Sequence, residues 1–315
     1  MFVSVVVPCY RSAATLSALV TRINAVLADA VAAYEVILVV DGSPDDTWDV
    51  AHDLALRHAQ VRAIRLARNY GQHNALVAGI RAAHFDTVVT MDDDLQHPPE
   101  EIPKLLAALT DDLDLVYGVA REEEHGLLRS LASRTVKAGL AQAMGVRNAR
   151  QFSAFRAFRT FLRSGFDLVN GPHVCIDVGL SWGTTRIGAV EVQMDKREAG
   201  ESGYTVRTLI RHTMNMVVGY STAPLRLVTY LGFAIGLGGL ALFGRVIWAY
   251  LTGQTTVAGF TTIAAMVAVF SSAQLIGTGM VGEYLGRIHA GGIGRPTYVV
   301  REQSDVATVR PQRVG

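Results

Sequence analysis

The sequence predicts an α/β fold with a mostly parallel sheet, followed by a transmembrane hairpin of two helices, on three observations. Apolar runs at Phe2–Val7, Val36–Val40, Val61–Leu66 and Thr87–Met91 alternate with helix-period segments around Ala13–Leu27, Thr47–His58 and Gln72–Ala83. That β-α-β-α order builds a parallel sheet with helices on both faces. Polar clusters stand at the ends of three runs: Pro8-Cys9-Tyr10, Asp41-Gly42-Ser43 and Asp92-Asp93-Asp94. Open α/β sheets bind ligands outside the carboxyl ends of their strands, so these clusters should share one crevice. From residue 227 the chain becomes apolar, with 18 uncharged residues between Arg226 and Arg245 and 37 more between Arg245 and Glu283.

Taken in order, the Val/Ile/Leu-rich runs suit strands covered on both sides. Phe2–Val7 is too short and lacks the basic flank of a signal peptide, and reads as the first strand. Pro98-Pro99-Glu100-Glu101 places prolines and acids at a helix entrance, as the helix dipole prefers. A strand at Leu113–Tyr117 precedes a basic region with Arg121, Arg129, Arg134 and Lys137. Tyr204–Tyr220 mixes Arg with Leu, Ile and Met, which suits either a helix in the headgroup layer or a connecting helix on the sheet domain.

A membrane span needs about 20 mostly apolar residues, and segments 227–251 and 257–282 supply them around the turn Thr252-Gly253-Gln254-Thr255-Thr256. Arg207, Arg211 and Arg226 precede the first span and Arg287, Arg295 and Arg301 follow the second, while the turn carries no basic residue. The positive-inside rule then places both termini and the sheet domain in the cytoplasm, at the inner membrane. Arg245, inside the first span, is expected to snorkel to the far interface. The expected organisation is a sheet domain at 1–203, an interfacial region at 204–226, the hairpin at 227–282 and a cytoplasmic tail at 283–315. Gly236-Leu237-Gly238-Gly239 offers a small-residue face that can pack within the hairpin or build a homo-oligomer.

Lys+Arg 29 against Asp+Glu 28 gives a net charge of +1, which argues against a nucleic-acid partner. Two cysteines, Cys9 and Cys175, are too few for a disulfide framework. The richest stretch is Met91-Asp92-Asp93-Asp94-Leu95-Gln96-His97-Pro98. Successive strand residues point to opposite faces, so Asp92 and Asp94 are expected to project together while Asp93 points away, with the Gln96 carbonyl oxygen close by. Hard oxygen ligands in that pattern suit Mg²⁺ or Mn²⁺, which takes one or two carboxylates and leaves positions for water and phosphate. His73 and His97 are expected to be loop hydrogen-bonders rather than ligands.

These residues, together with Val5-Val6-Val7-Pro8-Cys9-Tyr10, Asp41-Gly42-Ser43-Pro44-Asp45, Arg68-Asn69-Tyr70-Gly71-Gln72-His73, Arg197-Glu198-Ala199-Gly200-Glu201-Ser202 and Gly282-Glu283-Tyr284-Leu285-Gly286-Arg287, resemble the family 2 glycosyltransferases of GT-A fold. The likeness is to their polyprenyl-phosphate branch, which includes dolichol-phosphate mannose synthase, bactoprenol glucosyltransferases and the undecaprenyl-phosphate 4-deoxy-4-formamido-arabinose transferase. It implies that Pro8, Tyr10 and Asp41 hold the base and ribose of a nucleotide sugar, with uridine as the base. It implies that Asp92, Asp93, Asp94, Gln96 and Ser202 meet the rest of the donor, with Asp92, Asp94 and Gln96 on the metal. Arg121, Arg129 and Arg134 match positions that meet the phosphate of a polyprenyl acceptor such as undecaprenyl phosphate, and Arg156 and Arg197 are further active-site cations. The chain departs from the branch at Arg11 and Ser12, where Asn-Glu is usual, at Asp93 in place of Ala, and at Gly203 in place of Lys.

The implied reaction is inverting transfer of one sugar to the lipid phosphate, which is ionised near neutral pH and needs no strong general base. A processive polysaccharide synthase is the enzymatic alternative, but no Gln-x-x-Arg-Trp segment is present and two spans are too few for a pore. A non-catalytic membrane protein binding nucleotide or lipid is the alternative outside enzymes, and intact Asp41, Asp92, Asp94 and Gln96 weigh against it.

Overall fold

The four leading apolar runs form strands β1 (Phe2–Cys9), β2 (Ala33–Val40), β3 (Val61–Leu66) and β4 (Thr87–Thr90) in a computed structural model that describes residues 1–120, 152–166, 174–195, 223–253 and 259–304. Between them lie α1 (Leu16–Ala30), α2 (Thr47–Arg57) and α3 (Gln72–Ala82). Strands β1, β2, β3 and β4 pair in parallel, in the spatial order β3-β2-β1-β4. The order reverses between β1 and β4, because the chain runs outward from β1 to β3 and then returns to the other side of β1. At such a switch point the loops after neighbouring strands diverge and open a crevice.

The sheet is mixed rather than wholly parallel. After a 3₁₀ turn at Pro99–Glu101 and α4 (Ile102–Ala108), β5 (Leu115–Ala120) is separated from β4 by β6 (Arg156–Arg159), which runs antiparallel to both. A second 3₁₀ segment (Thr160–Phe166) and α5 (Ile176–Gly183) follow, and β7 (Ile187–Val192) pairs in parallel with β5. At the other edge β8 (Val300–Gln303) runs antiparallel to β3. Part of the segment 283–315, expected as a C-terminal tail, therefore completes the sheet, tied by Ala67 N–H to the Val299 carbonyl (2.8 Å) and Ser304 N–H to the Ala63 carbonyl (2.9 Å).

Alternation along the strands divides the apolar residues between two layers. Val3, Val5, Val7 and Cys9 of β1 join Leu38 and Val40 of β2 and Leu16, Leu19, Ile23 and Leu27 of α1 on one face. Val6, Ile37, Val39 and Val88 meet Leu76 and Ile80 of α3 on the other. Each fully buried Val, Leu or Ile contributes about 1.5–3 kcal/mol relative to exposure. Gly79 lets α3 approach the sheet closely: a Cβ there would lie 2.3 Å from Val6 Cγ1.

At the end of the strands away from the crevice, Glu35 accepts hydrogen bonds from Ser4 Oγ (2.7 Å), His84 N–H (2.7 Å) and Arg62 Nη1 (3.0 Å). Burial alone would raise its carboxyl, but these donors outweigh burial and hold it below its usual range.

Two compact units emerge, Met1–Gly203 with Gly294–Gly315, and Tyr204–Ile293. The second contains α6 (Ala223–Leu251) and α7 (Phe260–Gly292), 29 and 33 residues long. They pack antiparallel: a Cβ on Gly239 would meet Phe270 at 3.0 Å, and one on Gly277 would meet Val228 at 3.5 Å. Among the described residues no helix is long and apolar enough to cross a membrane. Of the interfacial region 204–226, residues 204–222 lie outside the described residues.

Candidate functional site

Three loops meet at the switch point between β1 and β4. The loop after β1 is held through three successive backbone N–H groups: Tyr10 donates to Asp93 Oδ2 (3.1 Å), Arg11 to Ser43 Oγ (2.8 Å) and Ser12 to Thr47 Oγ1 (3.0 Å). Asp45 Oδ1 in turn accepts from both Ser43 (2.5 Å) and Thr47 (2.7 Å). This support maintains Arg11 at φ 57°, a left-handed conformation that costs a side-chain-bearing residue energy. The Tyr10 ring stays exposed at 42 %, with the Arg11 guanidinium 5.6 Å from its centroid. Pro8 is buried in β1 and paired with Val39, so it shapes the strand end.

The loop after β2 is locked to the loop before α3. Asp41, only 3 % exposed, accepts Tyr70 N–H on one carboxylate oxygen and Gly71 N–H on the other, each at 2.7 Å. Gly42 sits at φ +58°, and a Cβ there would fall 2.2 Å from the Arg68 carbonyl carbon, so only glycine allows this contact. The resemblance made Asp41 a holder of base and ribose; in the structure its side chain organises the Arg68–Gly71 loop. Burial raises its carboxyl, against the opposing pull of those two N–H groups.

The acids lie beyond the strand. β4 ends at Thr90, and Leu95 turns the chain at φ 62°, so strand alternation does not govern Asp92, Asp93 and Asp94. Their separation comes from partners instead. Asp92 Oδ1 accepts from Gln72 Nε2 at 2.6 Å, Asp94 Oδ1 accepts Gln96 N–H at 3.1 Å, and Asp93 faces the Tyr10 backbone. Burial pushes Asp93 up to about 6, opposed by Ser12 and the Tyr10 N–H. Asp93, expected among the donor contacts, is thus a tie between two loops. The Gln96 carbonyl accepts Asp195 N–H at 3.0 Å.

Among the described residues no group of three or more His, Cys, Asp or Glu converges as a metal site. Asp92, Asp94 and the Gln96 side chain carry hard oxygens, the donor type that suits Mg²⁺ or Mn²⁺. His97 is buried, stacks on Phe155 at 5.3 Å, and has its ring nitrogen 3.5 Å from Asp92 N. Burial lowers its pKa, so the neutral ring is favoured.

Arg156, expected as an active-site cation, is 1 % exposed. β6 pairs Arg156 with Thr90, which carries the side chain into the layer below the acids. There its Nε donates to Thr90 Oγ1 (2.9 Å) and its Nη1 ion-pairs with Asp177, which also accepts from Tyr117 Oη (3.1 Å). Arg156 supports the strand end from which the acid loop departs. Asp177 and Gln72 were not singled out from sequence, because each acquires its role only through a partner distant in the chain. Arg121, Arg129, Arg134, Arg197 and Ser202 lie outside the described residues.

Comparison with known proteins agrees with this architecture. Residues 4–166, more than half of the chain, match the family model Glycosyl transferase family 2. The undecaprenyl-phosphate 4-deoxy-4-formamido-L-arabinose transferase of Aeromonas hydrophila is 32 % identical over 314 residues, covering 99 % of this chain and 96 % of that one. The protein of the same name from Serratia proteamaculans is 33 % identical, covering 95 % and 93 %. A mycobacterial protein of known crystal structure shares the fold at TM-score 0.51 and 22 % identity, covering 69 % of this chain and 72 % of its own. Glucosyl-3-phosphoglycerate synthase from Mycobacterium tuberculosis, solved with Mn²⁺, UDP and glucosyl-3-phosphoglycerate, is similar at TM-score 0.49 and 21 % identity, covering 69 % and 77 %. This chain belongs to glycosyl transferase family 2.

Proposed function

We propose that the protein transfers one sugar, with inversion, from a uridine diphosphate sugar to a polyprenyl phosphate, undecaprenyl phosphate above all, at the cytoplasmic face of the membrane. The observation that carries this is the placement of Asp92 and Asp94 at the β1/β4 switch point, beside loops held open by Asp41, Asp45 and Asp93. The acceptor assignment is supported by likeness over nearly the whole chain to relatives named for undecaprenyl phosphate. Asp92, Asp94 and Gln96 would hold a divalent cation, whose charge offsets that of the departing nucleoside diphosphate. Tyr10 presents an exposed ring for the base at the mouth of the crevice. Arg121, Arg129, Arg134 and Arg197 would orient the lipid phosphate for attack on the anomeric carbon, supplying position rather than proton transfer.

The membrane assignment is supported by the two helices. Their full sequence carries one basic residue, Arg245, between Arg226 and Glu283, and about 20 residues suffice for a span. Leu227, Phe233, Leu237, Leu240, Trp248 and Leu275 are exposed on them, a pattern a membrane would cover. β8 supports the topology: the chain is back in the sheet at Val300, so helices that cross must do so an even number of times. With both ends on one side, the arginines that flank the helices favour the cytoplasm as that side.

Purified full-length protein given a panel of uridine diphosphate sugars and undecaprenyl phosphate should yield one lipid-linked sugar by mass, of opposite anomeric configuration by NMR. Asp94→Ala should reduce turnover about 10²-fold or more, the scale of removing a main electrostatic stabiliser. Arg129→Ala should raise KM for the lipid while nucleotide binding persists. Nucleoside diphosphate release that ignores the lipid, or full turnover in excess chelator, would refute the reading.

A further inference from the structure

Gln72 opens α3, and its amide nitrogen lies 2.6 Å from Asp92 Oδ1. A carboxylate only accepts, so the amide must present its NH₂ to Asp92. The position of Gln72 is itself determined, because the residues just before it are gripped: Asp41 takes Tyr70 N–H and Gly71 N–H at 2.7 Å each. Gly42 closes on the Arg68–Asn69 backbone beneath them. A continuous route therefore runs from the buried acid at the end of β2, through two backbone N–H groups, to the side chain that touches the acid after β4.

We infer that Gln72 is a positioning residue: its amide holds Asp92 through Oδ1 and so fixes the carboxylate that would meet the divalent cation, coupling the Asp41 loop to the metal site. The inference rests on the reading of Asp92 as a metal ligand proposed above. Carboxylates that ligate metals are themselves hydrogen-bonded, and loss of such a partner weakens metal affinity about 10–100-fold. Gln72 is exposed and at a helix end, so its replacement leaves the core intact. Gln72→Met keeps the length and removes the donor. Gln72→Glu places a second carboxylate against Asp92 and turns attraction into repulsion.

The test is Mn²⁺ binding to the full-length protein with UDP, followed by electron paramagnetic resonance, alongside KM for the lipid. Gln72→Met should weaken Mn²⁺ binding about 10-fold or more and leave the lipid KM unchanged. In an Asp92→Asn background it should add nothing, because the group it orients is gone. Loss of Mn²⁺ binding in Asp92→Asn with none in Gln72→Met would overturn the positioning role and keep the metal site. Additive losses would place Gln72 on a different partner and also overturn it. Unchanged Mn²⁺ binding in Asp92→Asn would instead remove Asp92 from the ligands of the metal, and with it the premise of the inference.

Discussion

The sheet unit and the two-helix unit spend apolar side chains in opposite ways. In β1, β2 and β4 nearly every Val, Ile and Leu is fully buried and the two layers follow the two-residue period. In α6 and α7 large apolar residues such as Phe233 and Trp248 are 70 % exposed. Polar groups differ as well. The sheet unit pairs buried charges such as Glu35 and Arg156, whereas the exposed Thr229 of α6 and Thr278 of α7 return their hydroxyls to their own backbone carbonyls. A fold that closes its core in water can position acids to fractions of an ångström. In the membrane reading proposed above, a pair of helices whose apolar side chains face outward would be covered by lipid.

The sharpest way to break this comparison is by compartment. Cys9 and Cys175 are both buried, so a single introduced thiol can be read cleanly. Gly253→Cys in the turn after α6 should react with an impermeant thiol reagent applied outside the cell, and Val300→Cys on β8 should not. Outside labelling at residue 300 would overturn the proposed cytoplasmic side of the sheet, because β8 is part of the sheet.

Next in size is the buried ion pair beneath the acid loop. Removing one partner leaves an uncompensated buried charge and costs about 3–5 kcal/mol, so Arg156→Ala or Asp177→Ala should lower the urea midpoint of the sheet unit sharply. Near-native stability combined with loss of turnover would mean that Arg156 reaches substrate instead.

A smaller effect is expected at Glu35, which sits among its donors at the far end of the strands. Hydrogen bonds to a charged group contribute about 1.5–3 kcal/mol, and Glu35→Gln should forfeit part of that at neutral pH. Because the folded carboxyl lies below its usual value, its stabilisation is complete above the ordinary carboxylate range and fades as pH falls through the folded value. Melts from pH 7 to pH 3 should therefore show wild type and variant converging in acid, and a gap that widened would contradict the assignment. The smallest effect belongs to the exposed Arg57–Asp53 pair within α2: Arg57→Ala should cost at most about 0.5 kcal/mol. A larger loss would show that surface charge matters more to the sheet unit than its core does.

Much of this molecule was legible in the sequence because its signals are periodic and local. Continuous Val-rich runs in β1, β2 and β4, covered on both faces, and the helix period of α1 to α3 locate those elements within a few residues. The crevice was legible too, since Tyr10, Asp41 and Asp92 each follow a strand and parallel strands bring their carboxyl ends to one edge. β6 was not, because Arg156-Ala157-Phe158-Arg159 carries two arginines in four residues, one of them neutralised by Asp177, a partner outside its own strand. β8 escaped for a related reason: Val-Arg-Glu-Gln has no buried face and is a strand only because β3 offers an open edge. Composition and order alone determined the α/β class, the position of the acids and the apolar character of residues 227–282. The tertiary structure alone decided which acid does what. Asp41 grips a loop, Asp93 ties another and Asp92 meets Gln72, because the environment of a carboxylate in a loop is set by whichever distant donors the fold brings to it.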